Sequence, residues 1–115
     1  MEIVKLHPDL IAPARGSDGA AGYDLFMPED GNTLYSTPSE LVGLGFAAKV
    51  PAGHVALILP RSSAGVKQGI HLGNTVGVID SDYEGEWKVN IKGRPGSVLY
   101  WNAGARLFQF VVVPV

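Results

Sequence analysis

The chain has 115 residues, a net charge of −2, 46% hydrophobic and 17% charged residues, which is enough apolar material for one packed interior, read as a single domain over 1–115. That charge offers no basic field for a nucleic-acid polymer, and the lack of cysteine excludes disulfides, thiolate nucleophiles and cysteine zinc sites. His7, His54 and His71 stand too far apart for a histidine metal motif, which leaves a hard cation held through oxygen.

Fifteen glycines and eight prolines, scattered rather than clustered, cut the chain into short strands. The opening MEIVKLHPDL holds one such run, EIVKL, and lacks the basic start and long apolar core of a signal peptide. No apolar run approaches the ~18–20 residues that cross a bilayer, so no membrane partner is expected and the cytoplasm is the expected compartment. Strand character returns in GYDLFM (22–27), in LVGLGFAAKV (41–50) and in HVALILP (54–60). The last two flank Pro51-Ala52-Gly53 and read as a hairpin. In PRSSAGVKQG (60–69), Ser62 or Ser63 is placed to cap one helical turn that Gly69 ends. GIHLGNTVGVI and EWKVNIKG flank an acidic turn, and SVLYW and ARLFQFVVVPV close the chain; 17–22 and 30–38 read as loops. The even spacing of short strands predicts an all-β fold, a compact distorted barrel or jelly roll with at most one short helix.

Four segments carry residue types suited to chemistry. In AAGYDL (20–25), alternation puts Asp24 on the opposite face from Tyr23 and Leu25, either as a solvated strand acid or as a carboxylate for the water shell of Mg²⁺. In PRSSAG (60–65), Arg61, Ser62 and Ser63 follow an apolar strand and suit an anion, or else merely end the strand and cap a helix. In GNTVGVIDSDYEGEWKV (73–89), Asp80 follows the apolar pair Val78-Ile79, where a carboxylate screened on one side is placed to take a proton from water. Tyr83 offers a flat face for a sugar, and Gly77 and Gly85 allow close backbone approach; the bland alternative is a charged hairpin tip. In GARLFQ (104–109), Gln109 interrupts an apolar strand and needs a partner, while Arg106 suits either phosphate or a structural ion pair.

Taken in order, the four segments resemble the four core motifs of the trimeric dUTPase family, from about residue 20 onward, and the VVVPV ending is also similar. The third segment, GNTVGVIDSDYEG, is the most specific. The resemblance implies a dUTPase-like domain over 1–115 that hydrolyses dUTP to dUMP and pyrophosphate, nucleotide metabolism that keeps uracil out of DNA. Asp80 would activate water for attack on the α-phosphorus. Asn74, Gly77, Val78, Ile79 and Lys88 would frame the uracil, and Tyr83 would stack under the deoxyribose and exclude a 2′-OH. Arg61, Ser62, Ser63 and Gln109 would hold phosphates, and Asp24 would reach Mg²⁺ through water. The resemblance further implies a homotrimer with active sites between subunits.

Two departures stand out. Ser63 occupies a place where the family usually has glycine. The family's fifth motif, a glycine-rich C-terminal arm with an arginine and a phenylalanine that closes over the nucleotide, has no match here. The expectation is then either a shortened chain or a compact form that works differently, and GRPGS (93–97), with Arg94, reads as a loop. Two rival readings share the fold. A dCTP deaminase needs a glutamate where this chain has Asn90, and has Ala-His-Arg where this chain has Asn-Thr-Val. A nucleotide- or protein-binding module would bind dUTP and turn it over little.

Overall fold

The structure, a computed structural model, describes residues 1–34 and 41–115. Its elements in chain order are β1 (Ile3–Lys5), β2 (Ala14–Arg15), β3 (Tyr23–Leu25), β4 (Gly31–Leu34), β5 (Val42–Gly43), β6 (Phe46–Ala48), β7 (His54–Pro60), α1 (Ser62–Gln68), β8 (His71–Leu72), β9 (Gly77–Ile79), β10 (Lys88–Val89), β11 (Ile91–Lys92), β12 (Val98–Trp101) and β13 (Phe108–Pro114). The many breakers account for the shortness of the strands. The all-β expectation, jelly-roll-like with one short helix, holds among the described residues, although the sheets do not close into one barrel. No helix among them is long and apolar enough to cross a membrane.

A five-stranded antiparallel sheet, in the order β2-β3-β13-β7-β9, positions the motifs. β13 runs beside β7 from Phe108↔Pro60 to Pro114↔His54, and on its other edge Gln109 pairs with Asp24. Four two-stranded pairs, β1-β6, β10-β5, β11-β8 and β12-β4, complete the layers. Period-two alternation sends Ala56 and Ile58 of β7 and Phe108 and Phe110 of β13 into the core. There Trp87 is fully buried, edge-on to Phe110 at 5.0 Å and tilted against Phe46 at 5.0 Å, with its indole N–H donating to the Ala48 carbonyl at 3.1 Å. A buried indole satisfied in this way contributes both area and direction to the packing.

Three expectations need correction. Residues 41–50 and 54–60 do not form a hairpin: β5 pairs with β10, β6 with β1 and β7 with β13 and β9. Gly45, at φ +81°, divides the first run, and the chain changes sheet at the turn before β7. The loop expected over 30–38 contains β4, whose Gly31 faces Trp101 so closely that a Cβ would stand 2.3 Å from a ring carbon. Residues 35–38 of that stretch lie outside the described residues. Finally, neither Ser62 nor Ser63 caps α1; Arg61 is the N-cap, extended and without a side-chain capping bond, so both serines sit exposed in the first turn. The C-terminal end follows expectation, with Gly69 at φ +67° donating its N–H to the Ala64 carbonyl.

Candidate active site

The first, second and fourth segments meet at one end of the five-stranded sheet. Ladder register alone sets Asp24, Gln109 and Leu59 side by side on β3, β13 and β7. Arg61 then follows β7 directly and turns back over them. Its Nε lies 3.1 Å from one oxygen of Asp24, and the guanidinium of Arg106 lies 3.5 Å from the other. Arg61 also donates to the Arg106 carbonyl at 3.3 Å, which fixes the plane of its guanidinium. Only 13% of the Asp24 side chain is exposed, so Asp24 is not the solvated strand acid of the bland reading. Gln109 donates from Nε2 to the Pro60 carbonyl at 3.4 Å. The result is an open groove of about 460 Å³ lined by Asp24, Arg61, Ser62 and Gln109 among others. Gly22 belongs to this groove too: a Cβ there would stand 2.5 Å from Oε1 of Gln109. Sequence reading passed over Gly22; its signal was a glycine two residues before the strand acid.

The third segment is built differently. β8 and β11 pair only as far as Ile91↔Leu72, with one further bond from the Gly73 N–H to the Asn90 carbonyl at 3.0 Å. Beyond that point the two arms separate. β9 joins β7, with Ile79 opposite Ala56, while β10 joins β5, with Lys88 opposite Gly43. Residues 74–79 and 88–90 therefore pair with different neighbours and not with each other. Thr75 adopts φ +71° and its N–H donates to the Leu72 carbonyl at 2.9 Å; the Val76 N–H donates to the Asn74 carbonyl at 2.8 Å. At the root of the two arms, Oδ1 of Asn90 is buried with no hydrogen-bond partner, its amide packed against Gly73. Of the apolar pair Val78-Ile79, Ile79 is buried and Val78 is 55% exposed, because alternation along β9 turns Val78 outward at the sheet edge.

Asp80 follows β9, and its carbonyl accepts the Tyr83 N–H at 3.1 Å, closing a tight turn. It is exposed and lines a groove of about 550 Å³ with His54, Val55, Ser81 and Asp82. Tyr83 is 39% exposed and donates its hydroxyl to the Glu86 carbonyl at 2.6 Å. Lys88 is exposed on the opposite arm.

The two groups of residues are far apart within one chain. Asp80 stands across from Val55, four residues along β7 from Leu59 and three strands away from β3. At ~3.3 Å per residue and ~4.8 Å per strand, this is roughly 19 Å from Asp24 to Asp80 across the sheet. No side chain spans that interval.

For a metal, no three His, Asp or Glu residues converge among the described residues. Asp24 is a lone carboxylate whose oxygens each keep lone-pair capacity beyond their arginine contact. Such a group suits Mg²⁺, which keeps several waters and draws inner ligands from substrate phosphates.

The fold and site define a class of small β-rich protein with two separate polar grooves, one lined by Asp24 and Arg61 and the other by Asp80. Comparison with known proteins narrows the class. The dUTPase family model matches residues 9–115. The deoxyuridine 5'-triphosphate nucleotidohydrolase of Paraburkholderia phytofirmans is 45% identical over 105 residues, covering 90% of this chain and 71% of that protein. That of Azotobacter vinelandii is 42% identical over 113 residues, covering 96% of this chain and 75% of that protein. Among solved structures, the dUTPase of phage phi11 of S. aureus, which coordinates a structural Mg(II) ion, superposes with a TM-score of 0.85 at 24% identity over 99% of this chain and 90% of that one. The Staphylococcus bacteriophage 80alpha dUTPase with bound dUpNHpp gives 0.86 at 23% identity over 99% of this chain and 82% of that one. The two phage structures share the fold. The chain belongs to the dUTPase family.

Proposed function

We propose that this chain hydrolyses dUTP to dUMP and pyrophosphate, as a homotrimer whose active sites form between subunits, in the cytoplasm. The observation that carries the reading is the separation of the two half-sites. Asp24, Arg61, Ser62 and Gln109 line a groove at one end of β7, with Ser63 next to Ser62 in the first turn of α1, and Asp80 lines a second groove with His54 and Val55 at the other end. A general base for attack on the α-phosphorus must lie within hydrogen-bond reach of a water at that atom. The two half-sites of one chain cannot satisfy this; one protomer's first groove facing another's second can, and closed homo-oligomers supply that arrangement.

In this reading Asp80 takes the proton of the attacking water. The space between Asn74–Ile79 and Lys88 receives uracil through backbone N–H and C=O groups, with Gly77 allowing close approach. A base presenting a donor where uracil has an acceptor leaves a backbone group unpaired, at a cost of about 1–3 kcal/mol. Tyr83 lies under the deoxyribose and leaves no room for a 2′-OH, a steric device suited to a hydroxyl that polarity alone rejects poorly. Asp24 holds Arg61 in plane, and Arg61, Ser62, Ser63 and Gln109 bind phosphate oxygens. Asp24 would hold Mg²⁺ through water, and the ion when bound would neutralise charge on the triphosphate.

The test is pyrophosphate release from dUTP with Mg²⁺, beside dCTP, UTP and dTTP. The expected result is release from dUTP alone. Binding of dUTP without release would instead support the binding-module alternative, and release of ammonia from dCTP the deaminase. For the shared site, Asp80→Asn and Arg61→Ala proteins are unfolded together and refolded as a mixture. Sites between subunits regain about a quarter of wild-type activity, since each site needs one intact half from each of two neighbours. A mixture as inactive as its parts would rule out sites between subunits.

A further inference from the structure

Glu86 was given no role, yet it holds the turn that carries Tyr83. We infer that Glu86 is a positioning residue that sets the tilt of the Tyr83 ring and thereby the rejection of ribonucleotides, an inference that rests on the dUTP reading above. Its carboxylate accepts the Gly45 N–H at 3.0 Å. Gly45 is buried at φ +81°, where the run from β5 to β6 is interrupted. The carboxylate satisfies that buried N–H, and such charge-assisted bonds are among the stronger ones. Gly43 is shaped to admit the same side chain: a Cβ there would stand 2.3 Å from Oε2 of Glu86 and 2.8 Å from its Cδ.

The backbone of the neighbouring residue is tied down as well. The Leu44 N–H donates to the Trp87 carbonyl at 2.8 Å, and the Trp87 N–H to the Phe46 carbonyl at 3.0 Å. Residue 86 is thus held by its own side chain and by a ladder anchored on a fully buried tryptophan. Its carbonyl is the group that takes the Tyr83 hydroxyl at 2.6 Å. Beneath the ring lies Gly85, where a Cβ would stand 2.7 Å from the phenol oxygen and 2.9 Å from Cζ. The ring is consequently held at its far end by the Glu86 carbonyl, in a place that only the missing side chain of Gly85 leaves open. A 2′-OH is one atom in size, so a steric device against it works only if the wall does not tilt. A misplacement of about 1 Å is enough to change such outcomes substantially.

The experiment compares kcat/KM for dUTP and UTP in wild type, Glu86→Ala, Glu86→Gln, Tyr83→Phe and the Tyr83→Phe/Glu86→Ala double variant. Glu86→Ala is expected to lower the dUTP/UTP preference about tenfold, mainly through a higher kcat/KM for UTP, while Glu86→Gln, which still accepts the Gly45 N–H, stays within about twofold. Tyr83→Phe breaks the same link at the other end, so its loss and that of Glu86→Ala do not add in the double variant. An unchanged preference in Glu86→Ala, or losses that add, overturns the inference. If Glu86→Ala does not fold, Glu86→Asp decides, because the shorter side chain keeps the charge but does not reach the Gly45 N–H from the same backbone position: lowered preference supports the inference and unchanged preference overturns it. If wild type releases no pyrophosphate from dUTP, that reading falls separately. The ring resonances of Tyr83 then decide, shifting and averaging in Glu86→Ala if the link exists and staying put if it does not.

Discussion

The two half-sites are built by opposite means. The groove at Asp24 and Arg61, proposed for phosphate, is a side-chain construction: sheet register brings Asp24, Gln109 and Leu59 level, and two arginines lock onto one carboxylate across it. The proposed base site is a backbone construction, made where two paired arms part company and where Thr75 adopts φ +71°. Charge is concentrated and cross-linked in the first; shape and hydrogen-bond polarity dominate the second. A triphosphate needs fixed cations, whereas a neutral base is distinguished by the order of its donors and acceptors. Each half is built for the part of the ligand proposed for it.

The sharpest way to break the comparison is to remove the one charged group the base-site end contributes to chemistry. Asp80→Asn is expected to lower kcat about 10²–10⁴-fold while leaving dUTP binding nearly unchanged. Pyrophosphate release measures the first and calorimetric titration the second. Loss of binding equal to the loss of rate would make Asp80 a binding residue.

Next in size is Arg61→Lys, aimed at the groove. Lysine keeps the charge but not the fork, so the Asp24 contact at 3.1 Å and the bond to the Arg106 carbonyl at 3.3 Å cannot both persist. A loss of about 10–100-fold in kcat/KM is expected, with thermal unfolding a few degrees lower. Retained kcat/KM would mean that the groove needs charge only, not geometry.

These two predictions rest on residues of unequal legibility. Asp80, Tyr83, Arg61 and Gln109 were readable because each stands in a dense local motif, with polar types where a strand ends or is interrupted. Their separation across the sheet was not, because it depends on pairings between distant segments: β9 with β7, β10 with β5 and β13 with β3. The same blindness produced the false hairpin over 41–60, since a turn signal says that the chain reverses and not which strand it next joins. Asn90 was weighed only as the absence of a glutamate; its unpaired Oδ1 at the root of the two arms appears only in three dimensions. Gly22 and Gly43 were silent for a related reason. What makes them glycine is a side chain from a segment distant in the chain, Gln109 for Gly22 and Glu86 for Gly43.

Gly22→Ala sharpens the comparison with a smaller effect. The added Cβ would meet Oε1 of Gln109 at 2.5 Å, the far end of a flexible side chain, which moves aside at little cost to the fold. Stability is expected to fall by less than about 1 kcal/mol, because an exposed amide position is available to Gln109. KM for dUTP is expected to rise about three- to tenfold, since a phosphate donor has been displaced. Denaturant titration beside steady-state kinetics separates the two; a large stability loss with unchanged KM would mark Gln109 as structural.

The smallest effect is expected at Ser63, the one place where the groove borrows the base site's method. Ser63 is exposed in the first turn of α1, and no side chain caps that end. If its backbone N–H serves the phosphate, Ser63→Gly leaves the donor intact and removes only a Cβ and a hydroxyl. Helix propensity then sets the stability cost at roughly 0.5 kcal/mol, and KM for dUTP stays within about threefold. A tenfold rise in KM, equivalent to about 1.4 kcal/mol, is the size of one side-chain hydrogen bond. It would place the Ser63 hydroxyl on the phosphate itself and make the groove a side-chain construction throughout.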